Sequence, residues 1–290
     1  MPSTIALKRQ ITSIKNTRQI TKAMQLVSAS KMRRAQEAAY ASRDYREVAY
    51  ALLGDLNNVR EVAREPLFRT RTVQTRLYVV ITSNSGLAGA YNANVLKLLF
   101  KGIEADQKAK VKSQVIAIGS KGAQFVRRLK EVELVAVYAA LGEHPTTNDV
   151  RPILNTVIDL FKDEAVDEVQ LIYTEFKSTI TQVAQVQQLL PACKDDIVTS
   201  DKANPVLNFE PDVETVIDQV ATRLIEAQLW QAVLESRASE HSMRMLAMKN
   251  ATDNAKDLID DYTLELNTAR QASITQELAE ISGGAEALNG

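Results

Sequence analysis

Mostly apolar positions recur at alternating spacings of four and three from Val213 to Gln276, through Val213, Ile217, Val220, Leu224, Ala227, Gln231, Leu234, Ala238, His241, Met245, Met248, Thr252, Ala255, Ile259, Tyr262, Leu266, Ala269, Ser273 and Gln276. A repeat of 3.5 residues predicts an α-helix that presents one seam to another helix in a left-handed supercoil. Pro211 is the last proline, and no glycine falls between Glu143 and Ser282. Nothing therefore interrupts about 70 residues, roughly 100 Å of helix at 1.5 Å per residue. A helix of that length outruns a compact domain and needs a partner for its seam.

The other end of the chain supplies the candidate partner. Ser3 to Leu53 also lacks glycine and proline, and carries Leu7, Ile11, Ile14, Ile20, Met24 and Val27 at helical spacing. Charge supports the pairing. Residues 1–36 hold eight basic side chains, Lys8, Arg9, Lys15, Arg18, Lys22, Lys31, Arg33 and Arg34, and no acidic one. From Glu240 onward nine acidic residues face only Arg244, Lys249, Lys256 and Arg270. Opposite bias at the two ends favours their association and register.

Between the helices the period changes. Leu77 to Thr82, Gln114 to Ile118, Glu133 to Tyr138 and Glu168 to Tyr173 read as short strands, separated by helical patterns at Asn92 to Glu104, Lys121 to Lys130 and Asn148 to Lys162. Such βαβ alternation predicts a parallel sheet. Thr179 to Leu190 alternates apolar and polar residues and reads as a longer strand on an edge. The fold class is therefore α/β, with a long antiparallel coiled coil of the two terminal helices and an α/β domain inserted between them. We place the first helix at 1–58, the α/β domain at 75–192, connections at 59–74 and 193–211, and the last helix at 212–288.

Composition removes several classes of function. Hydrophobic residues at 45% and charged residues at 24% are ordinary for a globular chain, and the net charge of -1 carries no general affinity for nucleic acid or membranes. No apolar run reaches the roughly 18 residues a membrane span needs. The basic start leads into an amphipathic pattern, not the apolar core of a secretory signal. Cys193 is the single cysteine, so a dithiol switch within the chain is excluded.

Three motifs are specific. Ile274-Thr275-Gln276-Glu277-Leu278-Ala279-Glu280-Ile281-Ser282-Gly283-Gly284-Ala285-Glu286-Ala287 closes the long helix; Ile14-Lys15-Asn16-Thr17-Arg18-Gln19-Ile20-Thr21-Lys22-Ala23-Met24 lies near the start; Gly86-Leu87-Ala88-Gly89 follows the first strand. With Ser239-Glu240 and Met248 to Ala255, they resemble the gamma subunit of F-type, proton-translocating ATP synthase, over essentially the whole chain. The resemblance implies a Rossmann-like inserted domain and a central rotor shaft. It implies three alpha and three beta subunits around the coiled coil, with an epsilon subunit and a membrane c-ring at the α/β domain. It implies no catalysis and no cofactor in this chain. It also implies a peripheral place on the cytoplasmic face of the bacterial plasma membrane, reached only through partners.

Site residues carry over where they match. Arg270 and Gln271 resemble the pair that bonds a beta-subunit loop, the guanidinium offering a fork suited to a carboxylate. Lys22 and Met24 resemble the position that meets the acidic lever of beta, although a methionine at this spacing equally serves as core. Gly86, Leu87 and Ala88 resemble a loop that approaches beta. Asn84-Ser85 stands where the family usually has Asp-Arg, which takes one charge of each sign from that contact. Leu207, Phe209 and Glu210 resemble the segment that binds epsilon and the c-ring. Ile281, Ala285 and Leu288 resemble the tip held in an apolar sleeve of the stator, with Gly283-Gly284 loosening its last turn.

Two other classes compete. A strand, a glycine-containing turn and a helix suggest a nucleotide enzyme, but Gly86 to Gly89 lacks the Lys-Ser/Thr of a P-loop and the order of a dinucleotide fingerprint. His144 and His241 are distant in sequence, and no HExxH or CxxC occurs. Catalytic and metal sites are both expected to be absent. The alternative is a coiled-coil nucleic-acid-binding or scaffold protein, motivated by the basic N-terminus. Lys8, Lys15 and Lys22 recur every seven residues with Arg18 beside them, which lines one side of a helix and suits an acidic protein flank.

Overall fold

The computed structural model describes residues 4–45, 48, 65–139, 141–142, 145–192 and 213–289. In chain order its elements are α1 (Thr4–Ala41), a single 3-10 turn (Pro66–Phe68), β1 (Thr75–Ile81), α2 (Tyr91–Ala109), β2 (Lys112–Ile118), α3 (Ser120–Val126), β3 (Glu133–Tyr138), α4 (Thr147–Lys162), β4 (Glu168–Phe176), β5 (Gln182–Leu190) and α5 (Val213–Asn289). The strands and helices expected from the sequence all form, with ends moved by a few residues. α5 continues through Gly283 and Gly284 to Asn289. The expected end of the first helix falls outside the described residues.

The chain divides into two compact units, one of Met1–Ser28 with Arg244–Gly290 and one of Ala29–Met243. The second unit holds a five-stranded sheet in the order β3-β2-β1-β4-β5, with β5 antiparallel on the edge and every other pairing parallel. Leu77 to Ile81 are buried without a break because both faces of the sheet are covered. One face, with Leu77, Val79, Ile116, Leu171 and Tyr173, packs with residues of α4 and α5. The other, with Tyr78, Val80, Val115 and Ile172, packs with residues of α2 and α3.

Two devices hold the sheet's ends. At the start of the strands, the buried Asp106 carboxylate accepts from the Tyr78 hydroxyl at 2.7 Å and from Ser113 Oγ at 3.1 Å. It also pairs with Arg76, whose other nitrogen reaches Glu168 at 2.9 Å. At the finish of β2, Gly119 has φ +101°, and a Cβ there would stand 2.1 Å from the Thr82 carbonyl oxygen. Only glycine fits.

Within the second unit, α5 is buried around most of its circumference. Leu224, Ala227, Gln231, Leu234 and Ala238 occupy the expected seam, while Ile225, Leu229, Ala232 and Val233 are equally buried off it. The 3.5-residue pattern captured one contact stripe. The others arise because this stretch of helix is also a layer of the sheet's core, which a single-seam spacing does not express.

Candidate functional site

α1 buries its own 4,3,4 series: Leu7, Ile11, half-buried Ile14, then Thr21 and half-buried Gln25, Ser28, Met32, half-buried Ala35 and Ala39. This corrects the expected helical stripe. Ile20 is 61% exposed and Val27 54% exposed, because the heptad passes through the polar residues Thr21, Gln25 and Ser28 beside them. Hydrophobicity ranked the candidates; phase decided between them. The pairing with α5 is antiparallel. Gln231 Nε2 donates to the Ala39 carbonyl at 3.2 Å and Gln231 also bonds Ser42, while Thr252 Oγ1 donates to Thr21 Oγ1 at 2.8 Å. Gln231 and Thr252 are three heptads apart, as are Thr21 and Ser42.

The seam fades before the helix ends. Met248, Thr252, Ala255 and Ile259 are buried, and Tyr262, Leu266 and Ala269 half-buried, but Ser273 and Gln276 are exposed against expectation. Every residue from Arg270 to Ala285 is exposed. Ile274, Leu278 and Ile281 sit there at helical spacing, between 49% and 69% exposed. A last stretch of α5 thus forms with its apolar stripe uncovered by the described residues.

The described residues singled out by sequence are divided between the two units. Arg270 and Gln271 lie at the start of the uncovered stretch. Lys22 is exposed, with its Nζ donating to Gln25 Oε1 at 3.3 Å, and Met24 is half-buried. Their neighbour Thr21 meets Thr252, about five helical turns before Arg270. Gly86, Leu87 and Ala88 belong to the other unit. Ile281 and Ala285 are exposed; the Leu288 side chain, together with Leu207, Phe209 and Glu210, His144 and Cys193, lies outside the described residues.

The loop after β1 is held firmly. Asn92 Nδ2 donates to Ser83 Oγ at 2.7 Å and Ser83 N donates back to Asn92 Oδ1 at 3.0 Å. Asn84 Nδ2 donates to the Ala139 carbonyl at 2.7 Å, and its Oδ1 accepts from Ser120 N at 3.0 Å. An amide does both jobs, donor and acceptor, where an aspartate would only accept. On this frame Ala88 is buried, whereas Leu87 is 63% exposed with φ +61°. An apolar side chain in left-handed backbone, presented to solvent, is unusual.

A cavity of about 270 Å³ opens at the finishing ends of β1, β2 and β3, bordered by Thr82, Gly119, Tyr138, Lys31, Arg237 and His241. Arg237 is committed to the Leu141 carbonyl at 2.6 Å. Among the described residues no three His, Cys, Asp or Glu are placed to hold a metal ion, and no helix is long and apolar enough to cross a membrane.

Comparison with known proteins decides the family. The family model described as ATP synthase matches residues 3–288. The ATP synthase gamma chain of Herpetosiphon aurantiacus is 43% identical over the full length of both chains, and that of a Roseiflexus strain is 43% identical over 99% of each. The chain belongs to the ATP synthase gamma chain family. Its role is the one this family carries, the central rotor shaft of the synthase. The fold agrees with a chain of the Euglena gracilis mitochondrial ATP synthase at a TM-score of 0.71, 19% identity, and coverage of 98% and 94%. The nucleic-acid or scaffold alternative gains nothing from these likenesses.

Some residues of this gamma chain escaped the sequence. Ser236, Ser239 and Ser242 bond the strand β4 and the turn after it, and Gln231 and Glu235 form a buried polar layer on α5, Gln231 Nε2 reaching Glu235 Oε1 at 2.7 Å. The one available signal was three serines at every third position, which a hydrophobicity pattern discards.

Proposed function

We propose that this gamma chain couples rotation to catalysis through surface contacts alone and carries no active site of its own. Its partners are three alpha and three beta subunits around the helix pair, with epsilon and the c-ring meeting the α/β domain, on the cytoplasmic face of a bacterial plasma membrane. The observation that carries this is the uncovered end of α5. Sixteen residues of helix from Arg270 to Ala285 leave Ile274, Leu278 and Ile281 in solvent. Short isolated helices are marginal in water, so a stretch like this calls for an external sleeve.

Roles follow from position. Ile281, Ala285 and Leu288 turn in that sleeve, where apolar contact is non-directional and opposes rotation little. Arg270 and Gln271, at its mouth, supply directional bonds to a beta loop, and Lys22 with Met24 meets an acidic segment of beta. Leu87, held out by its rigid loop, touches beta from the α/β domain between Gly86 and Ala88. Leu207, Phe209 and Glu210 bind epsilon and the c-ring.

Affinity purification of the chain from its native membranes tests the assignment. Alpha, beta and epsilon chains are expected to co-elute, and elution without them overturns it. An Arg270→Ala, Gln271→Ala variant is expected to lose ATP hydrolysis by the assembled complex while leaving unfolding of the free chain unchanged, since both residues are exposed. Hydrolysis at the wild-type rate removes the pair from the contact. ATP hydrolysis by the free chain, abolished by one substitution within it, overturns the claim that it has no active site.

A further inference from the structure

β4 is longer than the strand beside it. β1 pairs with β4 from Arg76 opposite Glu168 to Val80 opposite Ile172, whereas β4 continues to Phe176. Past Ile172 the β1-facing side of β4 presents backbone groups that no described strand satisfies, and buried groups of that kind are costly unless paired. α5 and a residue just past the end of α1 pair them. Thr174 N donates to Ser236 Oγ and the Thr174 carbonyl accepts from Ser239 Oγ, both at 3.3 Å. The Phe176 carbonyl accepts from Arg43 on the α1 side at 3.2 Å.

The hairpin turn continues the same scheme. Ser242 Oγ donates to the Thr179 carbonyl at 2.6 Å, Gln182 Nε2 donates to Ser242 Oγ at 3.2 Å, and Gln36 Nε2 reaches Thr179 Oγ1 at 3.4 Å. Tyr40 lies edge-on to Phe176, and Arg43 sits over the Tyr40 ring. Ser236, Ser239 and Ser242 follow one another at every third position, so they share one helix face. Serine is small enough for a helix to approach a strand closely and still supplies a donor and acceptor.

We infer that this junction is the torque-bearing joint between the sheet and the helices, and that Ser236, Ser239, Ser242, Gln36 and Arg43 are its positioning residues. The inference rests on the rotor role. Rotation imposed on the α/β domain has two non-covalent routes into the helices. Apolar packing keeps the helix against the sheet but is non-directional, so it resists separation better than sliding or axial rotation. Hydrogen bonds lose strength steeply with angle, and here they reach both helices from one hairpin. Twisting either helix about its axis breaks them in register.

The test uses the whole ATP synthase carrying the Ser236→Ala, Ser239→Ala, Ser242→Ala chain. Alanine keeps the close approach and favours the helix, and removes only the directional bonds. The expected result is a several-fold fall in torsional stiffness of the rotor by single-molecule rotation, and loss of ATP synthesis against a high phosphorylation potential, with unloaded hydrolysis unchanged. Should that variant assemble poorly, Arg43→Gln and Ser242→Ala are measured singly, and each is expected to lower stiffness while the free chain stays folded with only a small drop in its thermal midpoint. Wild-type stiffness in any assembled variant overturns the joint. A wild-type complex in which this chain does not rotate overturns the rotor role instead.

Discussion

Thr252 Oγ1 donates to Thr21 Oγ1 at 2.8 Å in the buried seam between α5 and α1. Each hydroxyl also has a carbonyl within reach on its own helix, Arg18 O at 3.0 Å for Thr21 and Met248 O at 2.8 Å for Thr252. The pair therefore specifies register more than it adds stability, since an apolar layer would pack wherever it could slide.

Thr252→Val is expected to destabilise the free chain by about 1 kcal/mol, the net worth of an ordinary buried bond. Thr21→Val, Thr252→Val replaces both partners with isosteres and is expected to cost less than the two singles added together. A double-mutant cycle by urea unfolding measures the difference. Additive singles would show that the hydroxyls do not interact.

Alkaline pH probes the other polar knot. Burial raises the Tyr78 ionisation above the ordinary phenol range, and the bond to Asp106 and its charge raise it further. The folded state keeps this proton where the unfolded chain has lost it, so the contribution is complete below about pH 10 and declines as pH rises toward the folded value. Tyr78→Phe removes a bond to a charged acceptor and is expected to cost about 1.5–3 kcal/mol at neutral pH. Above about pH 10 the gap between wild type and variant is expected to shrink. Unfolding free energies across the alkaline range measure it, and a constant gap would refute the linkage.

A substitution at Leu87 tests stability and assembly separately. With φ +61° its backbone is strained, whereas asparagine tolerates this region. Leu87→Asn is expected to stabilise the free chain by up to about 1 kcal/mol. It is also expected to weaken competition with wild type for assembly with alpha and beta, because the exposed apolar side chain is gone. Equal competition would remove Leu87 from the interface.

Legibility in the sequence followed locality. The helices of the two ends and the βαβ alternation are written in periods of 3.5, 3.6 and 2, and each period constrains neighbours a few residues apart. Leu77 to Ile81 could be read as a strand from its own composition. Ile20 and Val27 could not be excluded from the seam that way, because heptad phase is a property of the pair and not of one helix. Asn84 looked like a lost charge and proved to be a bridge from Ser120 to Ala139.

The amino-acid order alone determined that two long, breaker-free helices of opposite charge bias flank an α/β domain, since propensity, period and charge act along the chain. Tertiary structure decided which residues meet: Thr21 with Thr252, Ala39 with Gln231, Thr174 with Ser236 and Ser239. It also decided that Arg270 to Ala285 find no cover among the described residues. Those outcomes depend on where separate elements stop relative to one another, β1 short of β4 and the seam short of the end of α5, and no local pattern encodes a difference between distant ends.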